Sequence, residues 1–206
     1  MLTVCCVLRS GGIYNSSHVS RLREQVALYL TQPYRFVCLS DMDVLCERIA
    51  LTDNLPGWWG KIELWRPGRF QGRVLYLDLD VTIIGGLDEL ADYPAPFAIC
   101  RDWIPIRGHG LSKFNSSVMS WNAGSTDHIY TNFTPDVMNR LNGDQDFIAE
   151  QMPWAEIFLA DWCVSYKVQK HIKLKTLPAE TRVIVYHGLP KSWDLPSDHL
   201  EEFRLV

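Results

Sequence analysis

Two acids, Asp78 and Asp80, follow directly on the apolar run Val74-Leu75-Tyr76-Leu77. In an extended segment residues i and i+2 point to the same side, so both carboxylates can face one divalent cation. The run lacks polar alternation, the pattern of a strand covered on both faces, and open α/β sheets bind ligands just beyond the carboxyl ends of such strands. An isolated Asp-x-Asp also caps turns. Residues elsewhere in the chain therefore decide between a metal site and a turn.

The elements that must position these acids follow an alternating pattern. Residues 2–8 read as a first strand, the turn Arg9-Ser10-Gly11-Gly12 follows, and Val19, Leu22, Val26 and Leu30 recur at helical spacing. Residues 34–39 form a second strand, broken by Ser40-Asp41-Met42-Asp43 before an apolar patch at 46–51. After Pro56-Gly57, Lys61-Ile62-Glu63-Leu64-Trp65 reads as a short helix that Pro67-Gly68 ends, delivering the chain to the strand before Asp78. Beyond the acids come strands at 97–99 and 118–121, a helical stretch at 136–151 and a last strand at 183–186. No repeat or long linker divides residues 1–206, so one α/β domain is expected.

Composition narrows the partners. An apolar fraction of 47% over 206 residues supplies a sizeable core, and a net charge of −4 with scattered Lys and Arg argues against nucleic acid as the principal partner. The apolar N-terminal stretch has no basic region before it and is too short to span a membrane, so no export signal and no integral membrane segment are expected. The six cysteines lack the paired spacing of a zinc site and read as buried free thiols, which fits a cytoplasmic protein. Asn15, Asn115 and Asn132 each open an N-x-S/T triplet, read as chance matches in the absence of a secretory signal. Core packing is the first reading of the eight tryptophans, although Trp58-Trp59 and Trp193 stand in loop contexts suited to stacking on a sugar.

Several separated motifs agree in order. Lys61-Ile62-Glu63-Leu64-Trp65, the 74–90 segment with its Asp-x-Asp, Asp102 ahead of Phe114-Asn115-Ser116-Ser117-Val118, Gly143-Asp144-Gln145, Val185-Tyr186-His187-Gly188 and Lys191-Ser192-Trp193 span nearly the whole chain. Together they resemble the retaining glycosyltransferases of family 8, the glycogenin and bacterial galactosyltransferase group. The resemblance implies a GT-A-like (Rossmann-like) fold, with a mixed, mostly parallel sheet flanked by helices. It also implies transfer of a hexose from a nucleotide-sugar donor, a UDP-hexose, to a glycan, protein or small-molecule acceptor with retention of configuration.

By the same resemblance, Asp78, Asp80 and His187 gather around Mn²⁺, with Mg²⁺ as the alternative ion. Imidazole beside carboxylates suits a first-row metal, and a hard cation offsets the charge that builds on a departing diphosphate. Asp78 thereby also belongs to the donor site. Lys191 is implied to contact the phosphates, while Lys61, Asp102, Asn115, Asp144 and Gln145 orient the donor sugar. Asp144 and Gln145 are the catalytic pair, steering an oxocarbenium-like sugar in a front-face displacement; a covalent glycosyl intermediate is the other route to retention. Tyr14 is a candidate to stack on uracil, with an ordinary core or loop aromatic as its alternative, and Ser10 is a further donor-side candidate.

Some positions depart from the family pattern. Ser117 stands for a glycine, Ser192 for a proline, the gap from His187 to Lys191 is short, and Leu141 replaces a common acid. Two other readings compete. Asp78-Leu79-Asp80-Val81-Thr82 also resembles the nucleophile motif of haloacid-dehalogenase-like phosphatases, but the motif lies deep in the chain with no convincing second acid cluster downstream. A sugar-nucleotide-binding module without turnover is the non-enzymatic alternative.

Overall fold

A computed structural model describes residues 1–103, 113–171, 176–201 and 203–205. In chain order the elements are β1 (Leu2–Leu8), α1 (Ser16–Tyr29), β2 (Tyr34–Ser40), β3 (Glu47–Ala50), a 3₁₀ segment (Gly57–Trp65), β4 (Arg73–Leu77), β5 (Val81–Ile83), α2 (Asp88–Ala91), β6 (Phe97–Arg101) and β7 (Phe114–Asn122). They continue with α3 (His128–Thr131), α4 (Pro135–Arg140), α5 (Asp144–Gln151), β8 (Glu156–Ile157), β9 (Cys163–Ser165), α6 (Tyr166–His171), β10 (Thr176–Leu177), β11 (Val183–Val185), a 3₁₀ turn (Ser192–Asp194) and β12 (Arg204–Leu205).

The main sheet has the order β3-β2-β1-β4-β7-β6-β8. Its β3-β2-β1-β4 half is parallel throughout, and β7 runs antiparallel between β4 and β6. Successive residues of the central strands enter opposite layers, as the pleat requires. Val4, Cys6, Leu75 and Leu77 pack with Val19, Leu22 and Val26 of α1, whereas Cys5, Val74 and Tyr76 pack with Trp59, Ile62 and Trp65 of the 3₁₀ segment. This two-sided burial is why β1 and β4 read as nearly continuous apolar runs, Thr3 and the leading Arg73 apart. Helices and the 3₁₀ segment cover both faces of a mixed, mostly parallel sheet, the GT-A/Rossmann-like arrangement expected.

Local chemistry accounts for the helix boundaries. Asn15 caps α1: its Oδ1 accepts from the Ser17 N–H at 3.0 Å, and His18 Nδ1 accepts from the Asn15 N–H at 3.1 Å. The expected helical stretch at 136–151 is two helices, because the chain turns extended at Leu141 and at Gly143. The residues 61–65 do form a helix, but as part of a longer 3₁₀ segment that is buried from Trp59 onward. The buried Glu63 carboxylate ties this segment down by accepting from the backbone N–H groups of Thr52 and Asp53, at 3.0 Å each. All six cysteines are free; Cys46 is partly exposed and the others are buried. Among the described residues no helix is long and apolar enough to cross a membrane.

Candidate active site

Strand order reverses between β1 and β4, so the loops leaving their carboxyl ends diverge and open a crevice there. Two further pairings deliver distant residues to this edge. Leu77 pairs with Val118 in the antiparallel β4–β7 ladder, which sets Asn115, Ser116 and Ser117 beside Asp78; the Asp78 N–H donates to the Ser117 carbonyl at 2.8 Å. Val81 pairs with Val185 in the antiparallel β5–β11 ladder, so the chain leaving β11 at Tyr186 and His187 runs past Asp80. An open cavity of about 780 Å³ results.

Ten sequence-predicted residues line this cavity: Ser10, Tyr14, Lys61, Asp78 and Asp80 from the first half, and Asn115, Asp144, Gln145, His187 and Lys191 from the second. Asp102 lies outside the lining; its N–H pairs with the Lys113 carbonyl at 2.8 Å, extending the end of β6. Asp78 and Asp80 both face the cavity, but through a turn at Leu79–Asp80 rather than along an extended strand.

Buried charge dominates one wall. Lys61 Nζ sits 2.8 Å from Asp78 Oδ1 and 3.6 Å from Asp144 Oδ2, and donates to Ser116 Oγ at 3.1 Å. Ser116 Oγ in turn donates to Asp144 Oδ2 at 2.6 Å, while the Tyr76 hydroxyl donates to Asp78 Oδ1 at 2.5 Å. Lys191 Nζ pairs with Asp80 and donates to the Tyr186 carbonyl at 3.0 Å; the Tyr14 hydroxyl donates to Asp80 Oδ2 at 2.9 Å. Three carboxylates thus share two ammonium groups.

The pKa shifts follow from this crowding. Burial raises the Asp80 carboxyl, and the Asp78 charge adds to it against the pull of Lys191. Burial also raises Asp144, opposed by Lys61 and the Ser116 hydroxyl. Burial alone would lower Lys61, but the Asp144 and Asp78 carboxylates outweigh it and raise the ammonium. Burial raises the Tyr14 phenol, reinforced by Asp80 and Asp78, so it stays a neutral donor.

Two carboxylates and an imidazole on the wall of one cavity form a donor set suited in type to Mn²⁺. Their expected gathering is not seen: among the described residues no three His, Cys, Asp or Glu side chains form a group able to hold a metal. The reason is occupancy by other partners. Lysines hold both acids, and His187 Nε2 is 2.6 Å from Ser165 Oγ with its ring stacked on Trp103. A cation at Asp78 and Asp80 must therefore displace or join two ammonium groups already there.

Other expectations resolve individually. Tyr14 presents its hydroxyl to Asp80, and its ring meets the Trp193 edge at 5.8 Å between centroids. Ser10 is tied to Asp41, whose Oδ1 accepts from the Ser10 N–H at 2.8 Å and whose Oδ2 accepts from the hydroxyl. Trp59 belongs to the core, whereas Trp58 is 57% exposed on the cavity wall and Trp193 is 37% exposed. Asn15 is a helix cap and Asn115 is buried in β7.

Sequence reasoning missed the Arg9–Asp41 ion pair and the hydroxyls of Ser116 and Tyr76. A signal for the first exists. Leu8 pairs with Ser40 at the ends of parallel strands, so the next residues, Arg9 and Asp41, emerge side by side. Burial pulls the Asp41 carboxyl up, but the Ser10 hydrogen bonds and the Arg9 guanidinium bring it below its ordinary value.

No protein-family model and no curated protein matches this chain. Solved structures do. The galactosyltransferase LgtC, in complex with donor and acceptor sugar analogues, superposes with a TM-score of 0.64 at 13% identity over 93% of this chain and 89% of its own. The glycosyltransferase GlyE of Streptococcus pneumoniae TIGR4 gives 0.68 at 14% identity, over 94% of this chain and 57% of its own. The bifunctional glycosyltransferase WbbM gives 0.65 at 12% identity, over 93% and 46%. The chain thus spans about half the length of GlyE and WbbM and most of LgtC. At these identities the likeness is one of fold: this chain has the GT-A/Rossmann-like architecture found in those glycosyltransferases.

Proposed function

We propose that this chain is a glycosyltransferase that moves a hexose from a nucleotide-sugar donor, UDP-linked, to an acceptor with retention of anomeric configuration, using Mn²⁺. The observation that carries this reading is the cavity beyond β1 and β4, where Asp78, Asp80 and Asp144 are buried with Lys61 and Lys191. A core has no use for such a cluster, since desolvated ions cost more than apolar packing. A site that must receive phosphates and a sugar does use it. The fold shared with solved glycosyltransferases supports the same reading.

Asp78, Asp80 and His187 would hold the metal. When bound, it supplies hard positive charge against the phosphate oxygens of the leaving nucleoside diphosphate. Lys191 is the mobile partner: its ammonium exchanges Asp80 for a phosphate oxygen when the donor enters. Asn115 and Gln145 offer amide groups to the sugar hydroxyls.

Asp144 stabilises the developing positive charge at the anomeric carbon rather than attacking it. Its Oδ2 already accepts from Ser116 and lies 3.6 Å from Lys61, so that oxygen is engaged by partners rather than free to attack. This favours a front-face displacement over a glycosyl-enzyme. In that displacement the acceptor hydroxyl bonds to the anomeric carbon on the face that the diphosphate leaves, and passes its proton to a departing phosphate oxygen.

Purified protein with Mn²⁺ is expected to release UDP slowly from one of UDP-glucose, UDP-galactose or their N-acetylated forms, and not from GDP-mannose. Asp144→Asn retains UDP affinity but loses turnover, whereas Asp80→Asn loses metal-dependent affinity. Cleavage of phosphomonoesters through Asp78, without binding of any of these nucleotides, overturns the proposal.

A further inference from the structure

The segment that carries His187 and Lys191 lies against the Asp78–Asp80 turn, and one residue of α1 joins the two. Arg21 sends one guanidinium nitrogen to the Leu79 carbonyl at 3.1 Å and another to Ser192 Oγ at 2.6 Å. Its Cζ lies 5.3 Å from the centre of the Trp193 ring. Three residues earlier on the same helix, His18 meets Trp193 with 4.3 Å between ring centroids. The first turns of α1 therefore form a seat for residues 192–193.

We propose that Arg21 is a positioning residue that clasps the Lys191-bearing segment to the acid-bearing turn and so holds the phosphate end of the cavity in its binding shape. Leu79 is the residue between the two acids, and Ser192 is the residue next to Lys191. Bridging a carbonyl on one segment and a hydroxyl on the other needs two N–H groups in a rigid fork, which guanidinium has and ammonium lacks. The serine is essential to the device. A proline at position 192, as the resembled motif has, offers no hydroxyl to meet the fork.

The clasp is not a plain stability device. Arg21 Nε is buried without a hydrogen-bond partner, a cost that an apolar side chain there would avoid. Burial also lowers the Arg21 pKa, against the pull of Tyr186 and Asp80. What the arrangement provides is preorganisation: a segment already held in place loses less freedom when it closes on a ligand.

The test compares Arg21→Met, Arg21→Lys, Ser192→Ala and the double variant Arg21→Met/Ser192→Ala by two measurements. Backbone hydrogen exchange of residues 186–194 reads the clasp directly and needs no ligand. Titration with UDP and Mn²⁺ reads its consequence, and only this second measurement rests on the function proposed above. Arg21→Met is expected to speed exchange in 186–194 selectively and to weaken UDP about tenfold. Ser192→Ala weakens it a few-fold, Arg21→Lys falls between wild type and Arg21→Met, and the double variant is no weaker than Arg21→Met, because both remove one connection.

Unchanged exchange in both single variants overturns the clasp, as does a double variant whose losses add in full. If wild-type protein binds no UDP while both variants speed exchange, the clasp stands and the donor reading falls. Should Arg21→Met fail to fold, Ser192→Ala, which removes a single hydroxyl, decides by the same two measurements.

Discussion

Lys61→Met removes one charge from the cavity wall while keeping an unbranched side chain of similar length, and it is expected to destabilise the fold heavily. The ammonium lies 2.8 Å from Asp78 Oδ1 and 3.6 Å from Asp144 Oδ2. At an effective dielectric of about 20, one such contact at ~4 Å is worth about 4 kcal/mol before desolvation is counted. Removing one partner of a buried pair costs about 3–5 kcal/mol net, because the other charge is stranded. Asp78, with its side chain 20% exposed, can recover some solvation, which places the loss near the lower figure. A loss of about 3 kcal/mol corresponds to a fall in Tm of roughly 6–12 °C for a chain of this size.

Urea denaturation should show a lower midpoint with an unchanged slope. Lys61→Met/Asp144→Asn should recover part of the loss, since it removes one stranded carboxylate. A single variant within about 1 kcal/mol of wild type, or a double variant no more stable than the single, refutes this account of the cluster.

Two further outcomes follow from the site and its frame. Burial raises the Asp144 pKa in the folded protein, so the folded state binds that proton more tightly than the unfolded chain does; the resulting penalty is fully present above the folded pKa and is relieved as pH falls through it. Asp144→Asn should therefore raise Tm at neutral pH by a margin that shrinks on acidification, measured by thermal melts across pH, and a margin that grows instead would contradict the sign. Asn15→Ala removes the cap of α1 and is expected to cost about 1 kcal/mol, while Asn15→Asp, which keeps the acceptor oxygen, should melt within about 2 °C of wild type.

Local pattern was enough for the frame of this protein. Apolar period fixes α1, because Val19, Leu22 and Val26 must all face one layer, and nearly continuous apolar runs fix β1 and β4, because both their faces are covered. The same logic placed Asp78, at the end of such a run, at the sheet edge where the cavity opens. Boundaries set by single backbone conformations were less legible, as with the break between α4 and α5 at Leu141–Gly143.

The partners of each acid were decided only by tertiary structure. Whether Asp80 meets His187 or Lys191 depends on how the chain leaves β11 after its pairing with β5, about a hundred residues away in sequence. Lys61 reaches Asp78 and Asp144 because the 3₁₀ segment and α5 pack together on one side of the sheet, beside the carboxyl end of β4. The Arg21 clasp joins residues 171 positions apart. Side-chain type and spacing carry information over a few turns of helix or one strand. Which ammonium sits on which carboxylate depends instead on strand pairings between distant segments, and those are chosen by burying the whole core at once.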